Sequence, residues 1–207
     1  ECLVGSEMCI RDRPYPCRFA HDADSAAIAE LWAAPGLDDA FYLSLSRHLA
    51  AALILDRKII TGRHGHSATI EHIQMDPDGA RCYCGKRGCL ETLCSLRTLQ
   101  WDLEDLDAFF EKVRAADRRA QEIWITYLKN LARAINMLHL IYDKTFILGG
   151  YLAPYLQQAD IDYLYQEIAE QTPFSEAHDF LEVSRMPKHN ITIGAALPYV
   201  QAFLEKI

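Results

Sequence analysis

Four side chains in one short stretch have the types and spacing to hold a metal ion: His72, Cys82, Cys84 and Cys89. Nine, one and four residues separate them in turn. Imidazole and thiolate are ligands that Zn2+ prefers, and four of them close a tetrahedral, structural site with no position left for water. A closed site of this kind contributes folding free energy. Asp76-Pro77-Asp78-Gly79 supplies turn chemistry to return the chain from the histidine to the cysteines. Gly85 and Gly88 permit tight bends around Cys84 and Cys89. Seven cysteines occur in all, but such short gaps without an export signal favour metal binding over disulfides. Cys17 and Cys94 are expected to be buried free thiols.

The metal segment lies in a polar run from Gly62 to Gly88, rich in Gly, His and Cys. A stretch this long without regular structure is uncommon unless something ties it down, and the metal would do so. Elements on both sides must hold it. Before it, Ser25–Ala33 reads as a small-residue helix with Asp22 and Asp24 at its entrance, broken by Pro35-Gly36. Phe41–Leu45, Ala50–Leu55 and Lys58–Ile60 read as strands. After it come a short amphipathic helix, Leu103–Val113, and a long one, Arg118–Tyr142. The long helix places Trp124, Leu128, Leu131, Ile135 and Leu138 on one stripe. Thr145–Leu148 is a strand closed by Gly149-Gly150. Ile161–Ala169 is helical, Phe180–Val183 a strand, and Ile193–Phe203 a last helix. Strands with intervening helices imply an α/β layer fold.

Half of the 207 residues are hydrophobic and 24% are charged, as expected of one soluble domain or one lobe of a larger one. No apolar run approaches the roughly 20 residues of a membrane span, and no signal peptide is evident, so a cytoplasmic location is expected. A formal net charge of −8 argues against this stretch gripping a phosphate backbone. Met8–Arg13 reads as a common sequencing-library adapter translated in one frame. Residues 1–13 are therefore expected to lie outside the fold, and residues 14–207 to form a truncated unit.

The run Glu71–Thr92, with its histidine, three cysteines and following glutamate, resembles the signature of the ROK family of sugar-responsive repressors and sugar kinases. It is especially similar to the glucose and N-acetylglucosamine repressors. The resemblance extends from about Phe19 to the end and implies the C-terminal lobe of an actin-like, hexokinase-like ATPase fold, with the N-terminal lobe missing. It also implies a homodimer, and DNA contact only through a missing N-terminal module. By the same resemblance Asp22 sits where the kinases keep their catalytic base, which takes a proton from the attacking sugar hydroxyl. His72 would meet both zinc and sugar, and Glu91 would accept sugar hydroxyls. Gly149-Gly150 looks like the adenine-side turn, and Gly194-Ala195-Ala196 like the start of the family's final helix. Read without the family, Asp22 is a helix cap and Glu91 a first-turn carboxylate favourable with the helix dipole.

The departures from the family weigh towards sensing. The turn that in the kinases cradles ATP phosphates with glycine backbone here reads Ser46-Arg-His-Leu-Ala-Ala-Ala52. Each alanine adds a Cβ where backbone must approach phosphate, and glycine's freedom at positive φ is lost, although Arg47 and His48 can still offer donors to an anion. Thr69 stands where the family has a sugar-binding glutamate, Glu71 appears beside the zinc ligand instead, and His21 replaces an asparagine. The expected function is therefore a sugar-binding effector lobe of a transcriptional regulator, with the sugar among Asp22, Glu71, His72 and Glu91. The alternative is an ATP- and Mg2+-dependent carbohydrate kinase with Asp22 as base. The remaining histidines, His64, His66, His139, His178 and His189, are expected at the surface or satisfied in the core.

Overall fold

The computed structural model describes residues 17, 19–99, 105–174, 179–186 and 188–206. The adapter-like residues 1–13, the start of the helix expected at Leu103, and His178 lie outside these. In chain order the elements are α1 (Asp22–Ala33), β1 (Ala40–Leu45), β2 (Leu49–Leu55), β3 (Lys58–Ile59), α2 (Glu91–Cys94), α3 (Leu106–Arg114), α4 (Arg118–His139), β4 (Thr145–Gly149), α5 (Gln158–Ala169), β5 (Leu181–Val183) and α6 (Asn190–Leu204). The strands form one sheet in the order β3-β2-β1-β4-β5. β1 runs antiparallel to β2 and parallel to β4, and β5 is parallel to β4.

The period-two alternation of β1 divides the molecule into layers. Phe41, Leu43 and Leu45 face the larger core, built from the α4 stripe (Trp124, Leu128, Leu131, Ile135, Leu138) with Phe109 and Phe110 of α3 and Leu164 of α5. The whole predicted stripe is buried. Ala40 and Tyr42 face the other side, where Ala23, Ala26 and Ala27 of α1 pack with Ala52, Ile54 and Ile147. The zinc segment sits on the larger-core side, with Ile70, Leu90 and Cys94 reaching into it.

The alanines of α1 have a steric reason. This helix is sandwiched between the sheet and α6, so small side chains are needed on two faces. At the α1–α6 crossing a Cβ on Gly194 would run into the carbonyl of Ser25. Glu30 at the far end of α1 is only 1% exposed. Its carboxylate accepts from the Ser184 hydroxyl and from the N–H groups of Arg185 and Met186 at 3.2 and 3.3 Å, tying α1 to the end of β5. A buried carboxylate persists only with partners of this kind.

Several boundaries differ from the sequence reading. α1 begins at Asp22, because His21 takes the extended N-cap conformation and the Ser25 hydroxyl donates to the His21 carbonyl. α4 ends at His139, three residues early, and α6 starts at Asn190, three residues early, after a left-handed His189. Cys94 is buried as expected, but Cys17 is exposed, since it precedes the packed elements. No helix of the described residues is long and apolar enough to cross a membrane.

Gly194→Ala should lower stability by about 1–3 kcal/mol through overpacking of the α1–α6 crossing. Gly36→Ala, where a Cβ meets nothing within 4 Å, should be neutral. Urea midpoints with an unchanged slope would measure both.

Candidate metal centre and adjoining cleft

The segment from Ile60 to Leu90 contains neither helix nor strand beyond two isolated bridges, Gln74 with Cys89 and Arg81 with Arg87. Its course is set by turns. The Asp76 carboxylate accepts from Asp78 N at 3.1 Å, and Gly79 N donates to the Asp76 carbonyl at 3.0 Å. Gly85 and Gly88 have φ of +90° and +61°, a left-handed conformation that makes the tight bends expected of them. A Cβ on Gly88 would also collide with the Asp76 carbonyl.

These turns bring the four expected ligands together. The donor atoms of His72, Cys82, Cys84 and Cys89 all lie within 4.8 Å of one another. Cys84 Sγ is 3.7 Å from Cys89 Sγ, and Cys82 Sγ is 3.8 Å from His72 Nδ1. A tetrahedral zinc with bonds of about 2.0–2.3 Å spaces its ligand atoms by about 3.5–3.8 Å, so both edges fit the ion. Without a cation the thiols oppose one another. Burial, followed by the neighbouring thiols, pushes Cys89 up to about 12, while the Lys86 N–H holds Cys84 below the usual thiol value. A bound zinc would remove this conflict by taking all three as thiolates. His72 turns Nδ1 to the thiols, and its Nε2 lies 3.9 Å from a Glu71 oxygen, the place of an outer partner that orients a ligand histidine.

Glu91 and Glu71 are adjacent through the backbone, Glu91 N donating to the Glu71 carbonyl at 2.9 Å. The Glu91 side chain is 5% exposed and serves the turn between β1 and β2. One oxygen accepts from His48 Nδ1 at 2.7 Å and the other from Leu49 N at 2.8 Å. Tyr83, between the first two cysteines, sets its ring edge-on to both His72 and His48 at 5.1 and 5.3 Å. Burial, then the Glu91 and Glu71 carboxylates, push its phenol above the ordinary value. Glu71, His72 and Glu91 thus form one group. Asp22 stands apart at the first turn of α1. Its carboxylate accepts from Ala23 N at 2.8 Å and makes no hydrogen bond or ion pair with the other three among the described residues.

A cleft of about 810 Å3 opens at the carboxyl ends of the parallel strands β1 and β4, the place where α/β sheets bind ligands. Ser44, Ser46, Gly150, Tyr151, His189 and Asn190 line it, and Ala26, one helical turn beyond Asp22, contributes to its wall. Gly149 and Gly150 are demanded here. A Cβ on Gly149 would strike the Tyr42 ring, and Gly150 has φ +80° with Leu45 and Ser46 against it. Tyr42 accepts from Asn190 Nδ2 at 2.9 Å at the cleft floor, and burial raises its phenol well above the usual value. Tyr83, His189 and Asn190 were not singled out in the sequence as parts of this region, and only the position of Tyr83 between two motif cysteines could have signalled one of them.

The glycine-free stretch takes ordinary backbone conformations. No residue from Ser46 to Ala52 has positive φ; the left-handed non-glycines are Asp56, Arg57, Ala68, Ala116 and His189. Serine, arginine, histidine and alanine therefore fit this turn without backbone strain.

The chain is 28% identical over 187 residues to an N-acetylmannosamine kinase of Yersinia pestis (strain Pestoides F), covering 82% of this chain and 63% of that protein. It thus spans under two thirds of the length of that relative. Its fold matches a ROK family glucokinase from Streptomyces griseus in complex with glucose and AMPPNP, with a TM-score of 0.82 at 21% identity, over 94% of this chain and 72% of that one. It also matches a ROK family transcriptional regulator homologous to the E. coli MLC protein, with a TM-score of 0.70 at 23% identity, over 92% and 55%. At these identities the two likenesses are of fold, which is α/β and hexokinase-like.

Cys84→Ser should release bound zinc and lower the melting temperature, as should a chelator on the unaltered protein. Native mass spectrometry would read the metal; full stability of a metal-free protein would refute the site. The ROK family profile matches residues 11–200, and the chain belongs to the ROK family.

Proposed function

We propose that the protein containing this chain is an ATP-dependent sugar kinase. It would transfer the γ-phosphoryl group of ATP to a hydroxyl of a hexose or N-acetylhexosamine, with Mg2+ accompanying the nucleotide. The sugar oxygen forms a bond to phosphorus as the bridging bond to the β-phosphate breaks. ADP leaves, and Asp22 takes the hydroxyl proton. Glu71, His72 and Glu91 would hold the sugar, while zinc in the four-ligand cluster would fix the loop that carries them. The cluster supplies no nucleophile, because its four protein ligands fill the tetrahedron.

The observation that carries this reading is the cleft at the ends of β1 and β4, which the Asp22 helix walls through Ala26. The turn beside it is built without positive φ, which takes away one part of the argument for a sensor without catalysis. Similarity to an N-acetylmannosamine kinase adds support and makes that sugar the first to test. The sensor reading retains one observation: side chains of Ser46, Arg47 and His48 occupy the turn where the family resemblance implies bare glycine backbone. One fold hosts both roles, so the site must decide.

Coupled ADP release should depend on N-acetylmannosamine, N-acetylglucosamine or glucose, and Asp22→Asn should reduce kcat by about 10²–10⁴-fold. Sugar binding by calorimetry with no turnover on any of the three would overturn the kinase and favour the sensor.

A further inference from the structure

A second cavity, of about 370 Å3, opens between the zinc loop and the segment that contains and follows α2. Its lining shares no residue with the larger cleft. Two contacts place it beside the Glu71, His72 and Glu91 group. Glu91 itself lines it, as does Tyr83, whose ring stands edge-on to His72 at 5.1 Å. Ser95, at the C-terminus of α2, forms another part of the wall. Its N–H donates to the Glu91 carbonyl at 3.2 Å. The residue is only 1% exposed, and its hydroxyl has no hydrogen-bond partner among the described residues. A buried hydroxyl left unpaired is costly, and one on a cavity wall is placed to be paired by a ligand.

The wall offers both donors and acceptors. Arg81 and Arg97 line it from either side, and their guanidinium groups make no hydrogen bond or ion pair among the described residues. The Thr92 and Thr98 hydroxyls already donate to the Cys89 and Ser95 carbonyls at 2.8 and 2.7 Å, which leaves their oxygens to accept. Each Glu91 oxygen makes one hydrogen bond and keeps a second lone pair. Tyr83, 60% exposed, adds an aromatic surface. Two guanidinium groups alone would suit an anion, but the Glu91 carboxylate in the same wall repels one. A neutral polyol meets no such conflict. Its hydroxyls both donate and accept, and its C–H face can lie on the aromatic ring. The volume falls within the range of about 300–1,000 Å3 usual for small-molecule sites, more than an acetamido or hydroxymethyl substituent needs.

Resting on the sugar-holding part of the reading above, and not on phosphoryl transfer, we propose that this cavity is a second sugar subsite. The ligand is then a disaccharide. One ring, a hexose or N-acetylhexosamine, is held by Glu71, His72 and Glu91, and the next ring lies against Tyr83. The Ser95 hydroxyl and the Arg81 and Arg97 guanidinium groups bond the hydroxyls of that second ring. Glu91 touches both subsites. Tyr83 lies between two of the candidate metal ligands, so the same cluster that positions His72 positions the wall of the second subsite.

Calorimetry on the full-length protein tests this by comparing glucose with cellobiose, maltose and gentiobiose, and N-acetylglucosamine with N,N′-diacetylchitobiose. At least one disaccharide should bind about tenfold or more tightly than its monosaccharide. Ser95→Ala and Arg97→Ala should each remove about tenfold of that disaccharide affinity, the loss expected of a hydrogen bond in a partly desolvated site. Monosaccharide affinity, zinc content and melting temperature should stay unchanged in both. Tyr83→Ala should also weaken the disaccharide, whereas Tyr83→Phe, which keeps the ring, should not. If monosaccharides bind and no disaccharide binds more tightly, the second subsite is refuted and the sugar site stands. If neither kind binds, the sugar site is refuted and the second subsite with it. Equal loss of monosaccharide and disaccharide affinity in Ser95→Ala would mean that this wall only props Glu91, and would overturn the proposal. Inorganic phosphate bound by the unaltered protein and lost in Arg97→Ala, with no preference for disaccharides, would make the cavity an anion site and overturn it equally.

Discussion

Glu91 leaves the zinc loop two residues after its last cysteine and lays both carboxylate oxygens on the turn that ends β1, one on His48 and one on the Leu49 N–H. Three parts of the molecule meet at that carboxylate. The His/Cys cluster lies just before its backbone, with Cys89 two residues earlier and Glu91 N bonded to the Glu71 carbonyl at the start of α2. The sheet determines where its target lies, because β1 and β2 are registered from Ala40 with Ile54 to Leu45 with Leu49. The side chain then joins a loop with almost no regular structure to the most regular part of the fold. A buried carboxylate needs such partners, since losing either leaves an unpaired charge away from water. Release of the metal would therefore be felt at the edge of the cleft as well as in the loop.

Much of this was legible from residue types. The cluster could be read because thiol and imidazole ligands at short gaps have few other uses. The stripe of α4 could be read because helical period and burial coincide there. What escaped were contacts between residues far apart in sequence: Glu91 with His48, Glu30 with Ser184, Tyr42 with Asn190. Glu30 sits in a run of alanines and looks like a solvated helix carboxylate, and nothing local announces that β5 will end against it. The same limit applies to Asp22, which local rules read as a cap. The structure makes it the first helical residue, with its carboxylate on Ala23 N.

The stretch from Ser46 to Ala52, the turn and the start of β2, separates two reasons for glycine. Absence of glycine was read as a barrier because glycine serves two purposes, access to positive φ and absence of a side chain. The first does not apply, since every residue of this turn has negative φ. Only the second remains, and it has two sides. A Cβ keeps the backbone farther from a ligand, but a longer side chain brings its own donors. At Gly149 and Gly150, by contrast, a Cβ would meet Tyr42, Leu45 and Ser46, and glycine has been kept.

This distinction separates the structural metal from the chemistry around it. Four protein ligands would complete a zinc tetrahedron, so a bound ion would position the loop and leave no place for an activated water. On the kinase reading, reactivity would have to come from groups that retain unused capacity, such as Asp22 at the head of α1 and the second lone pairs of Glu91. Asp22 and the zinc loop reach this region on opposite faces of the sheet, α1 on one and the loop on the other. The turn at the carboxyl end of β1 lies between them, with Ser46 on the cleft that Ala26 walls and His48 on Glu91.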